Sequence, residues 1–203
     1  GGAIYSCYNN HKLRIVNNHI TDCLRGVFGL DVQNSNSGED GSWVVSGNMF
    51  DTPKNFTNRA GLGISVGGSN NGLITNNIFC RFGKNSTPIT IDNSEDFGGN
   101  TFAVTISNNT FGHWQSNYVG DDNKGAIYVK GATKCIVNGN NIDNHYHDYG
   151  STDSPTEISG NTNIIVDSCT NCVVTNNIVA GGKVEEKNTN TGCVIANNVV
   201  DIV

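Results

Sequence analysis

An eight-residue pattern recurs seven times along the chain, and the seven copies align without a gap. A repeated unit that cannot bury its apolar face alone must stack on its neighbours, so the repeat predicts a solenoid. The copies are LRIVNNHI (Leu13–Ile20), WVVSGNMF (Trp43–Phe50), GLITNNIF (Gly72–Phe79), VTISNNTF (Val104–Phe111), CIVNGNNI (Cys135–Ile142), CVVTNNIV (Cys172–Val179) and CVIANNVV (Cys193–Val200).

Two apolar columns of the pattern indicate which side chains face the core. The third position is aliphatic in every copy, and the eighth is always Ile, Phe or Val. Side chains alternate across a strand, so position one should point inward together with position three. The third-position residues are Ile15, Val45, Ile74, Ile106, Val137, Val174 and Ile195.

The fifth and sixth positions of the pattern predict a bend. Position five is only Asn or Gly, the two residues that best tolerate positive φ, so we expect a left-handed backbone there. Position six is Asn in all seven copies, and an Asn at one corner of every coil can bond the equivalent Asn above and below it. We therefore predict an Asn ladder rather than seven unrelated turns. Its members are Asn18, Asn48, Asn77, Asn109, Asn140, Asn177 and Asn198.

A short apolar strand precedes each copy, so a coil reads strand, turn, strand, Asn bend, strand, loop. Successive ladder residues are 30, 29, 32, 31, 37 and 21 residues apart, and the connections absorb the variation. We therefore predict an all-β chain that folds as a right-handed parallel β-helix of about seven coils. The predicted first strands are Ala3–Ser6, Val27–Val32, Leu62–Val66, Ile89–Asp92, Ala126–Lys130, Ile164–Asp167 and, more weakly, Val184–Glu185.

This pattern resembles the pectate-lyase-like β-helix superfamily, whose members carry an Asn ladder at a short turn. The resemblance covers nearly the whole chain and is most like a bacteriophage tailspike or tail-fibre depolymerase. It implies the fold but leaves the activity open, because the superfamily includes lyases, hydrolases, epimerases and phage tailspikes. We expect residues 1–203 to form a single β-helix domain, a fragment of a longer chain, because no capping end is evident.

Composition argues against several classes of partner. Charged residues make up only 15% of the chain and the net charge is −6. No Lys/Arg cluster is present to follow a phosphate backbone, so we expect no nucleic acid partner. No apolar run approaches the roughly 20 residues that span a membrane, so we expect no membrane insertion. No metal-binding motif is evident, and we expect neither a metal nor another cofactor.

The seven cysteines indicate the compartment in which the chain folds. Cys135, Cys172 and Cys193 occupy inward position one, where they should stack as small apolar residues. Cys169 and Cys172 flank a turn, and only Cys172 has a clear inward register. We expect free thiols and therefore folding in a reducing host cytoplasm. A phage structural protein folds there before it joins the virion, whereas an extracellular enzyme is the alternative.

Outward position two forms an apolar stripe. Five of its seven residues are apolar on a face that should meet solvent. Contiguous apolar patches rarely stay exposed, so the stripe predicts a subunit interface, although β-branched residues also simply suit strands. Tailspike-like proteins are trimers, and the resemblance therefore implies a homotrimer. The stripe residues are Arg14, Val44, Leu73, Thr105, Ile136, Val173 and Val194.

The long connections are the candidates for a binding face, because long loops on one edge of a solenoid usually build it. They are Asp51–Gly61, Cys80–Pro88, Gly112–Lys124 and Asp143–Thr162. Aromatic rings beside carboxylates suit carbohydrate, since sugar C–H faces stack on rings while hydroxyls need polar partners. The candidate substrate-binding residues on these loops are His113, Trp114, Tyr118, His145, Tyr146, His147, Asp148 and Tyr149.

In the resembled superfamily such loops wall a groove whose floor is the first strand of each coil. Outward residues of those strands therefore join the candidate site. They are Asp31, Asp92, Tyr128, Lys130 and Asp167. We expect Tyr128 and Asp167 to contact substrate. A solvated surface group is the alternative for each carboxylate.

Hydrolysis of a glycosidic bond requires two carboxylates about 5–9.5 Å apart. Asp92 together with Asp121 or Asp122 could supply this pair across the groove. We therefore expect the β-helix of a phage tailspike that binds and hydrolyses a capsular or O-antigen polysaccharide. Two alternatives remain, a non-catalytic glycan-binding or structural β-helix, and a secreted polysaccharide lyase or epimerase.

Overall fold

The computed structural model describes residues 2–7, 12–21, 25–31, 42–51, 62–80, 87–93, 101–112, 125–143 and 161–200. Within these ranges the chain forms strands and no helix, and the strands make three seven-stranded sheets. Every strand pairs in parallel with the equivalent strands of the neighbouring coils. The prediction of an all-β parallel solenoid of seven coils is confirmed.

Each coil contributes one strand to each sheet. Sheet A contains β1 (Gly2–Cys7), β4 (Arg25–Asp31), β7 (Leu62–Val66), β10 (Thr87–Asp92), β13 (Ile127–Lys130), β16 (Asn161–Asp167) and β19 (Gly182–Lys187). Sheet B contains β2 (Leu13–Val16), β5 (Trp43–Ser46), β8 (Gly72–Thr75), β11 (Thr105–Ser107), β14 (Ile136–Asn138), β17 (Val173–Thr175) and β20 (Val194–Ala196). Sheet C contains β3 (His19–Thr21), β6 (Met49–Asp51), β9 (Ile78–Cys80), β12 (Thr110–Gly112), β15 (Asn141–Asp143), β18 (Ile178–Ala180) and β21 (Val199–Val200).

The predicted first strands are the strands of sheet A, with small shifts in their ends. The weakly predicted strand Val184–Glu185 is a full strand, Gly182–Lys187, because it pairs along its length with β16. Two predicted loops were drawn too long, since Thr87 and Asn161 already belong to strands. Backbone hydrogen bonds to the neighbouring coil extend these strands beyond their apolar residues.

The bend between sheets B and C has the predicted backbone. Position five has positive φ in all seven coils, from 54° to 66°. Position six forms the predicted Asn ladder: each Asn side chain donates through Nδ2 to Oδ1 of the next Asn, at 2.9–3.0 Å. The same Oδ1 accepts from the backbone N–H of the donating Asn, as in Asn48 N–H to Asn77 Oδ1 at 3.0 Å. The ladder thus satisfies polar groups that burial would otherwise leave unpaired.

Two further left-handed columns were not predicted. The residue before position one has positive φ in six coils, at Lys12, Asn71, Ala103, Lys134, Asn171 and Gly192. A third column follows sheet A, at Gly68, Gly131, Ser168 and Asn188. Residue types vary in both columns, so neither carries the uniform Asn/Gly signature of position five. Together the two columns form the turn from sheet A to sheet B.

The core lies between the three sheets and is built from stacked columns. Position eight supplies an aromatic stack in which Phe50, Phe79 and Phe111 lie one above another, with ring centroids 4.9 and 4.8 Å apart. The rings are nearly parallel, at 6° and 8°, because parallel strand pairing places the three phenylalanines in register one strand spacing apart. Position three is buried in six coils and half-buried at Ile195 in the last.

Position one also faces the core, as predicted. Trp43 is fully buried there, and its indole Nε1–H donates to Ser69 Oγ. A side chain at Gly72 in the next coil would overlap the Trp43 ring, so the glycine makes room for the indole.

The cysteine column occupies the later coils of the same position. The backbone N–H of Cys135 donates to Cys172 Sγ and that of Cys172 to Cys193 Sγ, both at 3.4 Å. These cysteines, and also Cys80 and Cys169, form no disulfide bond. Cys169, which has no clear inward register in the sequence, is also buried. Its position in the turn after sheet A places it against the core.

The outward faces of sheets B and C are partly solvent-exposed. Position two, the apolar stripe of sheet B, is exposed or half-buried in every coil, with Ile136 39% and Val194 51% accessible. Sheet C also exposes large apolar side chains that were not predicted as a surface feature. They are Ile78, Ile178, Val199 and, at position eight of the last coil, Val200.

Candidate functional site

The outward face of sheet A carries the candidate site residues that the structure describes. Core residues such as Ile89, Ile91, Ile127 and Val129 point inward from β10 and β13. Side chains alternate across a strand, so Thr90 and Asp92, Tyr128 and Lys130, and Ile165 and Asp167 point outward.

The last residues of four successive strands form an alternating charged row. Parallel pairing places Asp92 beside Lys130, Lys130 beside Asp167, and Asp167 beside Lys187. Opposite charges in adjacent register positions stabilise a sheet. We call Asp92, Lys130, Asp167 and Lys187 the charged row.

Asp167 is held by three hydrogen-bond donors. Its Oδ2 accepts from the Tyr128 hydroxyl at 3.1 Å, and its Oδ1 accepts from Ser168 Oγ at 2.8 Å and Asn188 Nδ2 at 2.6 Å. Burial raises the pKa of Asp167, but the hydrogen bonds and the charge of Lys130 outweigh it and hold the pKa of this carboxyl below its usual value. Asp167 is therefore ionised at neutral pH.

Tyr128 is the partner of Asp167 across one strand spacing. Its burial, its hydrogen bond to Asp167 and the nearby charges of Asp167 and Asp92 all raise the pKa of the phenol. Tyr128 thus stays protonated at neutral pH and donates a hydrogen bond to Asp167. Its hydroxyl oxygen can then only accept a hydrogen bond from a further group.

The side-chain oxygens of Asp92 and Thr90 have fewer hydrogen-bond partners than those of Asp167. Asp92 is half-buried, yet its Oδ1 is buried without a hydrogen-bond partner among the described residues. Thr90 is 5% exposed, and its Oγ1 likewise has no partner in the described part of the chain. Unsatisfied buried polar atoms are uncommon and costly, by about 1–3 kcal/mol each. Two of them on neighbouring outward positions of one strand mark a place where hydrogen-bonding capacity is unused.

The two carboxylates of the charged row are separated by one intervening strand. Strands lie about 4.8 Å apart, so the backbones of Asp92 and Asp167 are about 9.6 Å apart across the sheet. The sequence alone does not predict that these two residues lie close together, because they are 75 positions apart in the chain. Only the register of β10, β13 and β16 places them on one line.

Most outward residues of this face are buried. The outward residues of sheet A were predicted to form the floor of a groove, and Ser65, Thr90, Tyr128 and Asp167 are all buried there, with Ile165 fully so. Electrostatic interactions are stronger where water is excluded. The described site is thus a polar layer that is desolvated at Thr90, Tyr128 and Asp167 and partly open to water at Asp92 and Lys130.

The other predicted site residues lie outside the described residues. These are His113, Trp114, Tyr118, Asp121, Asp122, His145, Tyr146, His147, Asp148 and Tyr149. The pairing of Asp92 with Asp121 or Asp122 therefore stays a prediction. Asp31 ends β4, but its side chain is likewise outside the described part of the chain.

Three residues of the site were missed in the sequence. Thr90 lies on the same face as Asp92, and strand alternation could have found it. Ser168 and Asn188 directly follow the charged-row residues Asp167 and Lys187, and both have positive φ. Their role as donors to Asp167 depends on the unpredicted turn after sheet A, so the sequence gives no signal for it.

Among the described residues, no group of three or more His, Cys, Asp or Glu side chains is arranged to hold a metal ion. A helix with the length and apolarity to span a membrane is also lacking there. A scan of protein-family models matched none of them to this chain, and a search of curated proteins returned no match.

Proposed function

We propose that this β-helix binds and hydrolyses a bacterial surface polysaccharide, as a domain of a phage tailspike or tail-fibre depolymerase. The observation that carries the proposal is the pair Asp92 and Asp167, which lie on one outward face in different environments. Inverting glycosidases place two carboxyl groups about 6.5–9.5 Å apart, so that a water molecule fits between one of them and the sugar. The strand spacing of sheet A supplies a separation of that order.

The environments of the two carboxylates suggest separate roles. Asp167 is ionised and fixed by three donors, and a carboxylate offers about four acceptor positions. The remaining position can take a proton from water while the water oxygen attacks the anomeric carbon. Asp92, whose Oδ1 has no described partner, is the group left to take up a proton from solvent and pass it to the leaving glycosidic oxygen. Asp121 and Asp122 remain the alternative second carboxylates for Asp92.

The test is release of reducing ends from capsular or O-antigen polysaccharide by the purified protein. Asp92→Asn and Asp167→Asn should each lower the rate at least about 100-fold, since acid and base groups contribute 100- to 10,000-fold. Asn138→Asp is the matched control. It replaces an amide by a carboxylate on the outward face of sheet B, away from the candidate site, and should leave the rate unchanged. Circular dichroism checks that each variant is folded.

Burial of the described site favours a second candidate, a glycan-binding or structural β-helix without activity. Thr90, Tyr128 and Asp167 are only 5%, 7% and 6% exposed, which restricts the approach of a polymer. A polysaccharide that binds without releasing reducing ends would support this reading and contradict hydrolysis. Products that absorb near 232 nm would instead indicate elimination by a lyase, the third reading.

The assignment to a phage tail has its own support. The exposed apolar side chains of sheet B suit a subunit interface in a homotrimer, because isolated proteins rarely leave such stripes in water. The free thiols suit a protein that folds in the host cytoplasm and is released in the virion, and they argue against a secreted enzyme.

A further inference from the structure

The charged row is incomplete at one end. Lys130 has an acidic neighbour on both sides, and Asp167 has a basic neighbour on both sides. Asp92 has Lys130 on one side only. On the other side of Asp92 lies β7, where Val66 pairs with Ile91. The residue after Val66 is Gly67, which is therefore next to Asp92 and has no side chain. On this side of Asp92, the charged row therefore supplies neither a cation nor a hydrogen-bond donor.

The unused acceptors lie at this same end. Asp92 Oδ1 and Thr90 Oγ1 are buried without partners in the described part of the chain. Thr90 pairs with Ser65 on β7, so a second hydroxyl borders the position on the strand that leads to Gly67. An ionised carboxylate only accepts hydrogen bonds, and a hydroxyl can both donate and accept. The groups around Gly67 therefore call for a ligand that brings donors.

From this arrangement we infer that the end of the row at Asp92 and Gly67 is a subsite for a sugar residue that presents hydroxyl or amino donors and carries no carboxylate. The inference rests on the proposed glycan-binding function and specifies its substrate class. A uronate at this position would place its carboxylate about one strand spacing, roughly 4.8 Å, from that of Asp92. Like charges directly opposite each other destabilise a contact, so uronic acids are rejected here.

The experiment compares each polysaccharide with its own uncharged form. Capsular polysaccharides that contain uronic acid are used as isolated, and again after their carboxyls have been reduced to give neutral hexoses. Binding to the wild-type chain is measured at low temperature, so that any cleavage stays slow. We expect the reduced form to bind at least about tenfold more tightly than the native form.

Two variants separate charge from hydrogen bonding. Asp92→Asn removes the repulsion, so the preference for the reduced form should fall below about twofold. Thr90→Val removes a hydroxyl without changing charge, so both forms should bind more weakly while the preference persists. Asn138→Asp on sheet B should change neither.

The outcomes distinguish this inference from the function on which it rests. Equal or tighter binding of the uronate form, or an unchanged preference in Asp92→Asn, would overturn the subsite while the glycan-binding function stands. If neither form of any polysaccharide in the panel binds, the proposed function and the subsite both fall.

Discussion

Each buried ladder asparagine uses all of its polar groups. Asn109 donates through Nδ2 to Asn140 Oδ1 at 3.0 Å and to Ile74 O at 3.1 Å. Its Oδ1 accepts two hydrogen bonds from Asn77. The ladder is therefore a column in which the loss of one side chain leaves groups unsatisfied in both neighbouring coils.

Asn109→Ala should lower the free energy of unfolding by about 3 kcal/mol or more, because removing one partner of a buried hydrogen bond costs about 1–3 kcal/mol. Asn141→Ala is the matched control, since Asn141 is exposed on β15 and should change stability by less than about 0.5 kcal/mol. Urea denaturation followed by circular dichroism measures both. Equal effects of the two substitutions would contradict the ladder.

Ala103 shows that not every left-handed position has the residue that suits it. Its φ is 54°, a conformation that costs a residue with a Cβ roughly 1–2 kcal/mol, whereas glycine adopts it freely. Ala103→Gly should therefore raise the free energy of unfolding, by about 0.5–1 kcal/mol after the entropy of glycine is subtracted.

Ala132→Gly provides the control for Ala103→Gly. Ala132 is fully buried, and its φ is not positive. The same substitution there removes a buried methyl group and adds backbone freedom, so it should lower stability by about 1 kcal/mol or more. The same urea measurement serves both variants. Destabilisation by Ala103→Gly would show that strain at this turn is negligible.

Among the structural elements, sheets B and C were the most predictable. Positions one to eight of the repeat encode two strands and the bend between them, and every copy uses the same alternation. Sheet A was predicted in position but not in extent, because strands such as β19 contain charged residues and gain their pairing from β16. Long-range pairing of this kind has no local signature in one sequence.

The candidate site was predicted only in part for the same reason. Asp92, Tyr128 and Asp167 were identified as outward residues, which follows from strand alternation. Their partners could not be identified, since the hydrogen bonds to Asp167 depend on the register between coils and on the turn that holds Asn188. Burial of the outward face was also missed, because polar residues in a strand normally indicate contact with water.

The cysteine column and the adjoining turn form a third kind of element, a buried cluster of thiols. Hydrogen bonding to Cys135 and burial raise the pKa of Cys172 to about 12, although the hydrogen bond from Cys169 opposes them. Hydrogen bonding to Cys172 and burial also raise the pKa of Cys169. A thiol must ionise to react, so these groups are protected as long as the core stays closed.

Alkylation of the native protein with iodoacetamide at pH 8 should therefore modify Cys80 and Cys193, which are partly exposed, before the buried thiols. Cys135, Cys169 and Cys172 should react only when urea is added, and peptide mapping by mass spectrometry can follow each site. Modification of the buried thiols at the rate of Cys193 without denaturant would contradict the inward cysteine column.

At the scale of the whole molecule, sheets B and C expose apolar side chains. The stripe on sheet B includes Ile136 and Val173, and the surface of sheet C includes Ile78 and Ile178. Six strand spacings of about 4.8 Å make each face about 29 Å long, so either could support an interface along the solenoid axis. The proposed trimer buries the sheet B stripe, because that stripe is apolar in five of its seven positions.

A trimer built on sheet B predicts different outcomes for charges on the two faces. Light scattering should give three times the chain mass of 21.6 kDa for the wild type. Ile136→Lys combined with Val173→Lys should give monomers, because two desolvated and unpaired ammonium groups oppose burial of the face. Ile78→Lys combined with Ile178→Lys is the matched control on sheet C and should leave the trimer intact. The reverse result would place the interface on sheet C, and a wild type that stays monomeric at high concentration would exclude the trimer for this chain.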